Sequence, residues 1–118
     1  MMTVYRYIVK STTQETMDLL KLSQSSSTPV FEEIRTVIGD HKLATLAYEK
    51  YGFYTNQPTS LFITLHDFYD QVEVTVISTT HANRGLFNFD SMIAANYIRS
   101  VKKALHPVLI SETKLADR

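Results

Sequence analysis

Four histidines, His41, His66, His81 and His106, are the side chains best suited to acid–base or metal chemistry near neutral pH. His66 is followed by Asp67 and Asp70, an oxygen-and-nitrogen set suited to a metal ion or to a histidine general base with a nearby carboxylate. The same residues are ordinary turn formers, because Asp side chains hydrogen-bond their own backbone. The turn reading is preferred, and the enzyme reading built on His66 is kept as the third choice. His81 does not complete a site with His66. If residues 60–66 and 71–79 are partner strands, His81 lies about nine residues beyond Val72, on the order of 30 Å away at roughly 3.3 Å per residue. His41 and His106 fall at expected helix ends, where a cation is favoured. No catalytic residue and no metal ligand is assigned.

Other chemistries are limited by composition. The chain has no cysteine, which excludes disulfides, thiolate metal sites and cysteine nucleophiles. Its three glycines, Gly39, Gly52 and Gly85, are too few and too scattered for a phosphate-cradling loop. Adjacent Glu32 and Glu33 would point about 100° apart on a helix and are better explained by the helix dipole than by acid–base work. Arg84, just before the last expected helix, is the best candidate for holding an anion, since a helix start offers free N–H groups. Arg99, Lys102, Lys103 and His106 form a basic stretch. With 12 Lys plus Arg against 12 Asp plus Glu, however, the chain has no global electrostatic case for nucleic acid or an anionic membrane. Seven tyrosines in a chain without tryptophan suit sheet packing, pocket linings and interfaces.

These residues must be positioned by a single domain, because 118 residues support one hydrophobic core. Residues 3–10 read as a strand with Tyr5, Tyr7 and Val9 on one face. Thr12 with Glu15 makes a capping box for a helix carrying Met17, Leu19 and Leu20, which ends in the serine run 23–27. Thr28 and Pro29 open a second expected helix, whose Val30, Ile34, Val37 and Ile38 share a face and which Gly39 stops; a strand over 30–38 competes. Strands follow at 43–51, 60–66 and 71–79. A connection through Asp67–Asp70 pairs Leu65 with Val72, Ile63 with Val74 and Leu61 with Val76 on one apolar face. The opposite face carries Phe62, Thr64, Glu73, Thr75 and Ile77. A final helix over about 91–105, capped by Asp90, presents Ala94, Tyr97, Ile98, Val101 and Leu105, and Pro107 stops it. Val108–Ile110 adds a short edge strand, and 111–118 is a frayed tail. The ordered core is then about 3–110. No apolar span approaches the ~20 residues of a membrane helix, and Arg6 and Lys10 interrupt any signal-peptide core, so a soluble cytoplasmic protein is expected.

The expected class is α+β: an antiparallel sheet of four to five strands with helices on one face, in the order β-α-α-β-β-β-α. The order resembles a shortened helix-grip arrangement, with a ferredoxin-like sandwich as the alternative. Tyr48-Glu49-Lys50-Tyr51, then Ser60-Leu61-Phe62-Ile63, and the Gly85-Leu86-Phe87 step before the last helix together resemble a small bacterial family of unknown function over roughly residues 25 to 105. That family's turn before the step is rich in glycine, whereas Thr80-His81-Ala82-Asn83-Arg84 leads in here. The resemblance implies no activity and no cofactor. Two readings lead on function. In one, the domain is a binding module for a small apolar or amphipathic ligand between sheet and final helix, lined by Tyr48, Phe62, Tyr97, Ile98 and Val101. In the other it self-associates, as a homodimer, through its sheet or its tyrosine-rich surface. Neither nucleic acid nor membrane is an expected partner.

Overall fold

The computed structural model describes residues 2–51, 58–79 and 89–117. The chain runs β1 (Met2–Val9), α1 (Thr13–Ser23), β2 (Thr28–Ile38), β3 (His41–Tyr51), β4 (Pro58–His66), β5 (Val72–Thr79), α2 (Phe89–Leu105), a short 3-10 segment (His106–Val108) and β6 (Leu109–Asp117). All six strands form one sheet in the order β2-β3-β4-β5-β1-β6, with every neighbouring pair antiparallel. Because every neighbouring pair is antiparallel, β1 and β4 run parallel on either side of β5, and β5 and β6 run parallel on either side of β1.

Helix α1 forms as its sequence dictates. Thr12 Oγ1 accepts the Glu15 N–H at 3.1 Å, and the Glu15 carboxylate accepts the Thr12 N–H at 3.5 Å and the Ser11 hydroxyl at 2.9 Å. The capping box satisfies N–H groups that would otherwise be unpaired. Its buried side is Thr13, Thr16, Met17 and Leu20. From there α1 leads the chain to the far edge of the sheet. β2 to β5 then return as a meander, and β5 comes to rest beside β1.

The second expected helix is instead β2. Residues 28–38 are rich in Thr, Val, Ile and Phe, which favour extended backbone. Gly39, at φ +57°, is not a helix stop but part of the two-residue turn that pairs Ile38 with His41. Among the described residues the element order is therefore β-α-β-β-β-β-α-β, with two helices and six strands. Three further boundaries differ from expectation. The tail beyond Ile110 is not frayed: β6 continues to Asp117 along β1. Helix α2 starts at Phe89, so Asp90 lies inside it and does not cap it. The β4–β5 register is Leu65 with Val74, Ile63 with Val76 and Leu61 with Ser78, two residues from the expected pairing. A shift of two leaves every side chain on its face, whereas a shift of one would invert them.

Both helices lie on one side of the sheet, α1 over β3 and β4, α2 over β4 and β5, and they pack on each other. Leu61, Ile63, Leu65, Val72, Val74 and Val76 are all buried beneath them. Ala44, Leu46, Tyr48, Tyr7 and Val9 extend this layer across the sheet, and Tyr97, Val101 and Leu105 complete it from α2. Each fully buried aliphatic side chain contributes about 1.5–3 kcal/mol of transfer free energy. Among the described residues no helix is long and apolar enough to cross a membrane.

Candidate interaction surface

Strand alternation sends the remaining side chains to the other face, on which no described helix packs. The register aligns one residue from every strand there: Phe31, Ala47, Phe62, Ile77, Val4 and Ala116 follow one another from β2 to β6. This row is apolar from edge to edge. Phe31 and Phe62 are 48% and 40% exposed, while Val4, between Ile77 and Ala116, is buried. The next row is polar, namely Glu33, Thr45, Thr64, Thr75, Arg6 and Thr113, with Arg6 Nε donating to Thr75 Oγ1 at 3.4 Å. Beyond it run Arg35, Leu43, His66, Glu73, Ile8 and Ser111.

The five residues expected to line a ligand pocket do not share one space. Tyr48, Tyr97 and Val101 are buried in the core, and Ile98 packs against it. Phe62 lies on the opposite face, in the apolar row, because it alternates with Leu61 and Ile63. Arg84, the expected anion ligand, lies outside the described residues, as does His81. The Tyr48 hydroxyl donates to Glu32 Oε1 at 3.0 Å, and Lys21 Nζ holds Glu32 Oε2 at 3.4 Å. Burial, reinforced by that carboxylate, pushes the Tyr48 phenol well above its ordinary value. Glu33, one residue on, faces the helix-free side and pairs with Arg35 at 3.9 Å. The adjacent carboxylates therefore serve two surfaces of a strand and not a helix dipole.

A model of the family described as a family of unknown function, DUF6054, matches residues 2–108. The chain belongs to DUF6054. No curated protein matches it. The matched span ends just before β6, so it holds both helices and the other five strands of this DUF6054 chain.

At the end of the sheet formed by the β2–β3 and β4–β5 turns, two histidines each meet a carboxylate in this DUF6054 chain. Asp67 Oδ1 accepts the Lys42 N–H at 2.9 Å and lies 3.4 Å from His41 Nδ1. Partial burial works against the Asp67 charge, but the Lys42 N–H and His41 outweigh it and hold its carboxyl below the usual value. The Phe68 N–H donates to His66 Nδ1 at 3.4 Å, which leaves Nε2 to donate to Glu73 Oε2 at 3.1 Å. The Phe68 ring stacks on His66 at 4.6 Å. Both ring nitrogens of His66 are thus engaged. Asp70 sits at φ +71° in the turn, in the left-handed conformation that Asp tolerates. His41 begins β3 and does not follow a helix, and His106 follows α2 directly. Among the described residues no three His, Asp or Glu side chains are grouped to hold a metal ion.

The apolar row is the feature that sequence reasoning missed. Phe62 and Ile77 were legible on one face of the β4–β5 pair. Phe31, Val4 and Ala116 join them only once β2 is a strand and β6 reaches Ala116.

Proposed function

We propose that this DUF6054 protein is an interaction module whose working surface is the helix-free sheet face, and that its partner there is a second copy of the same chain. The observation that carries the reading is the unbroken row Phe31, Ala47, Phe62, Ile77, Val4, Ala116. A two-fold axis parallel to the strands, between β4 and β5, reverses the strand order and preserves height along the strands. The row then meets itself apolar to apolar: Phe31 opposite Ala116, Ala47 opposite Val4 and Phe62 opposite Ile77. In the third row Leu43 meets Ile8 and His66 meets Glu73, so apolar faces apolar and base faces acid. Stacked sheets sit about 10 Å apart and cross at about −30°, which keeps these pairings approximate neighbours.

The edges support the face as the contact. β2 carries Pro29, Glu32, Glu33 and Arg35 with two register shifts, and β6 carries Glu112, Lys114 and Asp117 opposite two shifts of its own. Prolines, charges and bulges are what discourage edge-to-edge pairing. Six strands about 4.8 Å apart and eight residues of about 3.3 Å give a face of roughly 600 Å² per copy. Two copies would bury roughly 1,200 Å², the low end for specific interfaces. The meander closing on β1 beneath α2 supports a shortened helix-grip arrangement. Its interface between sheet and helix is filled by Tyr48, Tyr97 and Val101, which favours association over an apolar ligand there.

Sedimentation equilibrium from low micromolar to several hundred micromolar tests this. The expected mass rises to twice the monomer value. Phe62→Glu, at the centre of the row, abolishes the rise, while Leu22→Glu on the exposed side of α1 leaves it intact. A monomer throughout, or a dimer indifferent to Phe62→Glu, overturns the proposal.

A further inference from the structure

A second surface stands independently of the sheet face. Where α1 ends, the middle of α2 and the last residues of β3 come together around a recess of ≈ 170 Å³. Its inner wall is closed on itself. Ser23 Oγ donates to the Leu20 carbonyl and Ser100 Oγ to the Tyr97 carbonyl, both at 2.7 Å. Each hydroxyl then accepts from the buried Gln24 amide, at 3.1 and 2.8 Å, and Ser27 donates to Gln24 Oε1 at 3.3 Å. This network orients Gln24 and engages the Ser23, Ser100 and Gln24 oxygens.

Donors are left over. Tyr97, which lines the recess, is 4% exposed, and its hydroxyl is buried without a hydrogen-bond partner among the described residues. Ser27, which also lines the recess, acts on the phenol pKa in the lowering direction. Burial raises the phenol above its usual value, so it stays protonated at neutral pH; the Glu49 carboxylate acts in the same direction and also limits how tightly an anion is held. Asn96 Oδ1 accepts from Arg99 at 2.8 Å, which leaves its amide nitrogen to donate. Ser26 adds a hydroxyl, and Lys50, the only charged residue of the lining among the described residues, forms no ion pair with any of them. An unpaired buried hydroxyl is costly, and a recess with surplus donors and one cation is complementary to an acceptor-rich anion.

We infer that this recess binds a small oxyanion, a phosphate or carboxylate group, with Lys50 supplying the charge and Tyr97, Asn96 and Ser26 the hydrogen bonds. Its volume is below the roughly 300–1,000 Å³ of pockets for drug-sized ligands, so the group belongs to a small molecule or a free ion.

Titration of ¹⁵N-labelled full-length protein with sodium phosphate, and separately with sodium acetate, tests the inference against sodium chloride at matched ionic strength. Saturable amide shifts at Ser26, Ser27, Lys50 and Asn96 are expected in the millimolar range. Saturation by phosphate alone, acetate alone or both upholds the inference and identifies the source of the oxyanion. Lys50→Gln, at an exposed position, weakens binding about tenfold or more, as expected for a charged hydrogen bond. Tyr97→Phe weakens it severalfold while leaving thermal stability unchanged or higher. Shifts no larger than those with chloride, or saturation unaffected by Lys50→Gln, overturn it.

Discussion

Replacing Ile63 by alanine, and separately its chain neighbour Phe62, perturbs the two faces of one strand. Ile63 is 0% exposed, between Leu46 and Val76 and beneath the helices. Losing three carbons there removes about 2.4 kcal/mol of transfer free energy at about 0.8 kcal/mol per group. The cavity left behind brings the cost to about 3–4 kcal/mol. Phe62 is 40% exposed and loses chiefly its contacts with Ala47 and Ile77, worth about 1 kcal/mol together. At roughly 4 °C per kcal/mol for a domain of this size, Tm falls by about 12–16 °C for Ile63→Ala and by about 4 °C for Phe62→Ala. Thermal and urea unfolding followed by circular dichroism at low micromolar protein measures both. Raising the concentration then separates the variants again. A dimer stabilises the wild type by about 2.7 kcal/mol at a hundred times its Kd, whereas Phe62→Ala gains little. Equal costs for the two substitutions in dilute protein would refute the assignment of faces, and a wild-type Tm independent of concentration would refute the association.

Alkali is expected to unfold the protein through Tyr7, Tyr48 and Tyr97. Burial, joined at Tyr7 by Glu112, at Tyr48 by Glu32 and at Tyr97 by Glu49, raises all three phenols above the unfolded value of about 10. Above that pH the unfolded chain gives up protons that the native chain keeps. Stability is therefore intact below about pH 10 and falls as pH rises toward the native values, by up to about 4 kcal/mol per pH unit for three groups. Urea midpoints together with tyrosinate absorbance should show these three ionising only as the protein unfolds; their smooth titration in folded protein would contradict the reading. At the β2–β3 turn, Gly39 has open space around a Cβ position, so substitution is penalised through backbone alone. Gly39→Ala should cost about 1 kcal/mol in urea unfolding and Gly39→Asn less, and an Ala variant of unchanged stability would argue against the left-handed turn.

How far the fold was legible depended on burial. Thr12 and Glu15 announced α1 because a capping box is local chemistry. Leu61, Ile63, Leu65, Val72, Val74 and Val76 announced the β4–β5 pair because one side of each strand is buried and the other is not. β2 defeated the same reasoning. Only Ile34 is half-buried in it, so the strand carries no alternation, and the helical spacing of Val30, Ile34, Val37 and Ile38 arose without a buried face behind it. β6 was illegible for the same cause: its middle is polar, and its partner β1 supplies the order. Parity alone places Phe62 opposite Leu61 and Ile63, and an aromatic ring is no guide to which side it lines. The recess around Tyr97 joins residues of α1, β3 and α2, and the sheet-face row needs the register of all six strands. Neither juxtaposition is carried by any one segment of sequence.

β1 and β6 run in opposite directions with Thr3 beside Asp117, and a Thr3 hydroxyl reaches the Asp117 carboxylate at 3.4 Å. Polypeptide fused at either extremity would thus leave from the same corner. A short glycine-serine bridge could span that corner, and the backbone could be reopened between Gly39 and Asp40 to give a circular permutant. In such a permutant β3 would start the chain and β2 would finish it, with every ladder in the sheet retained.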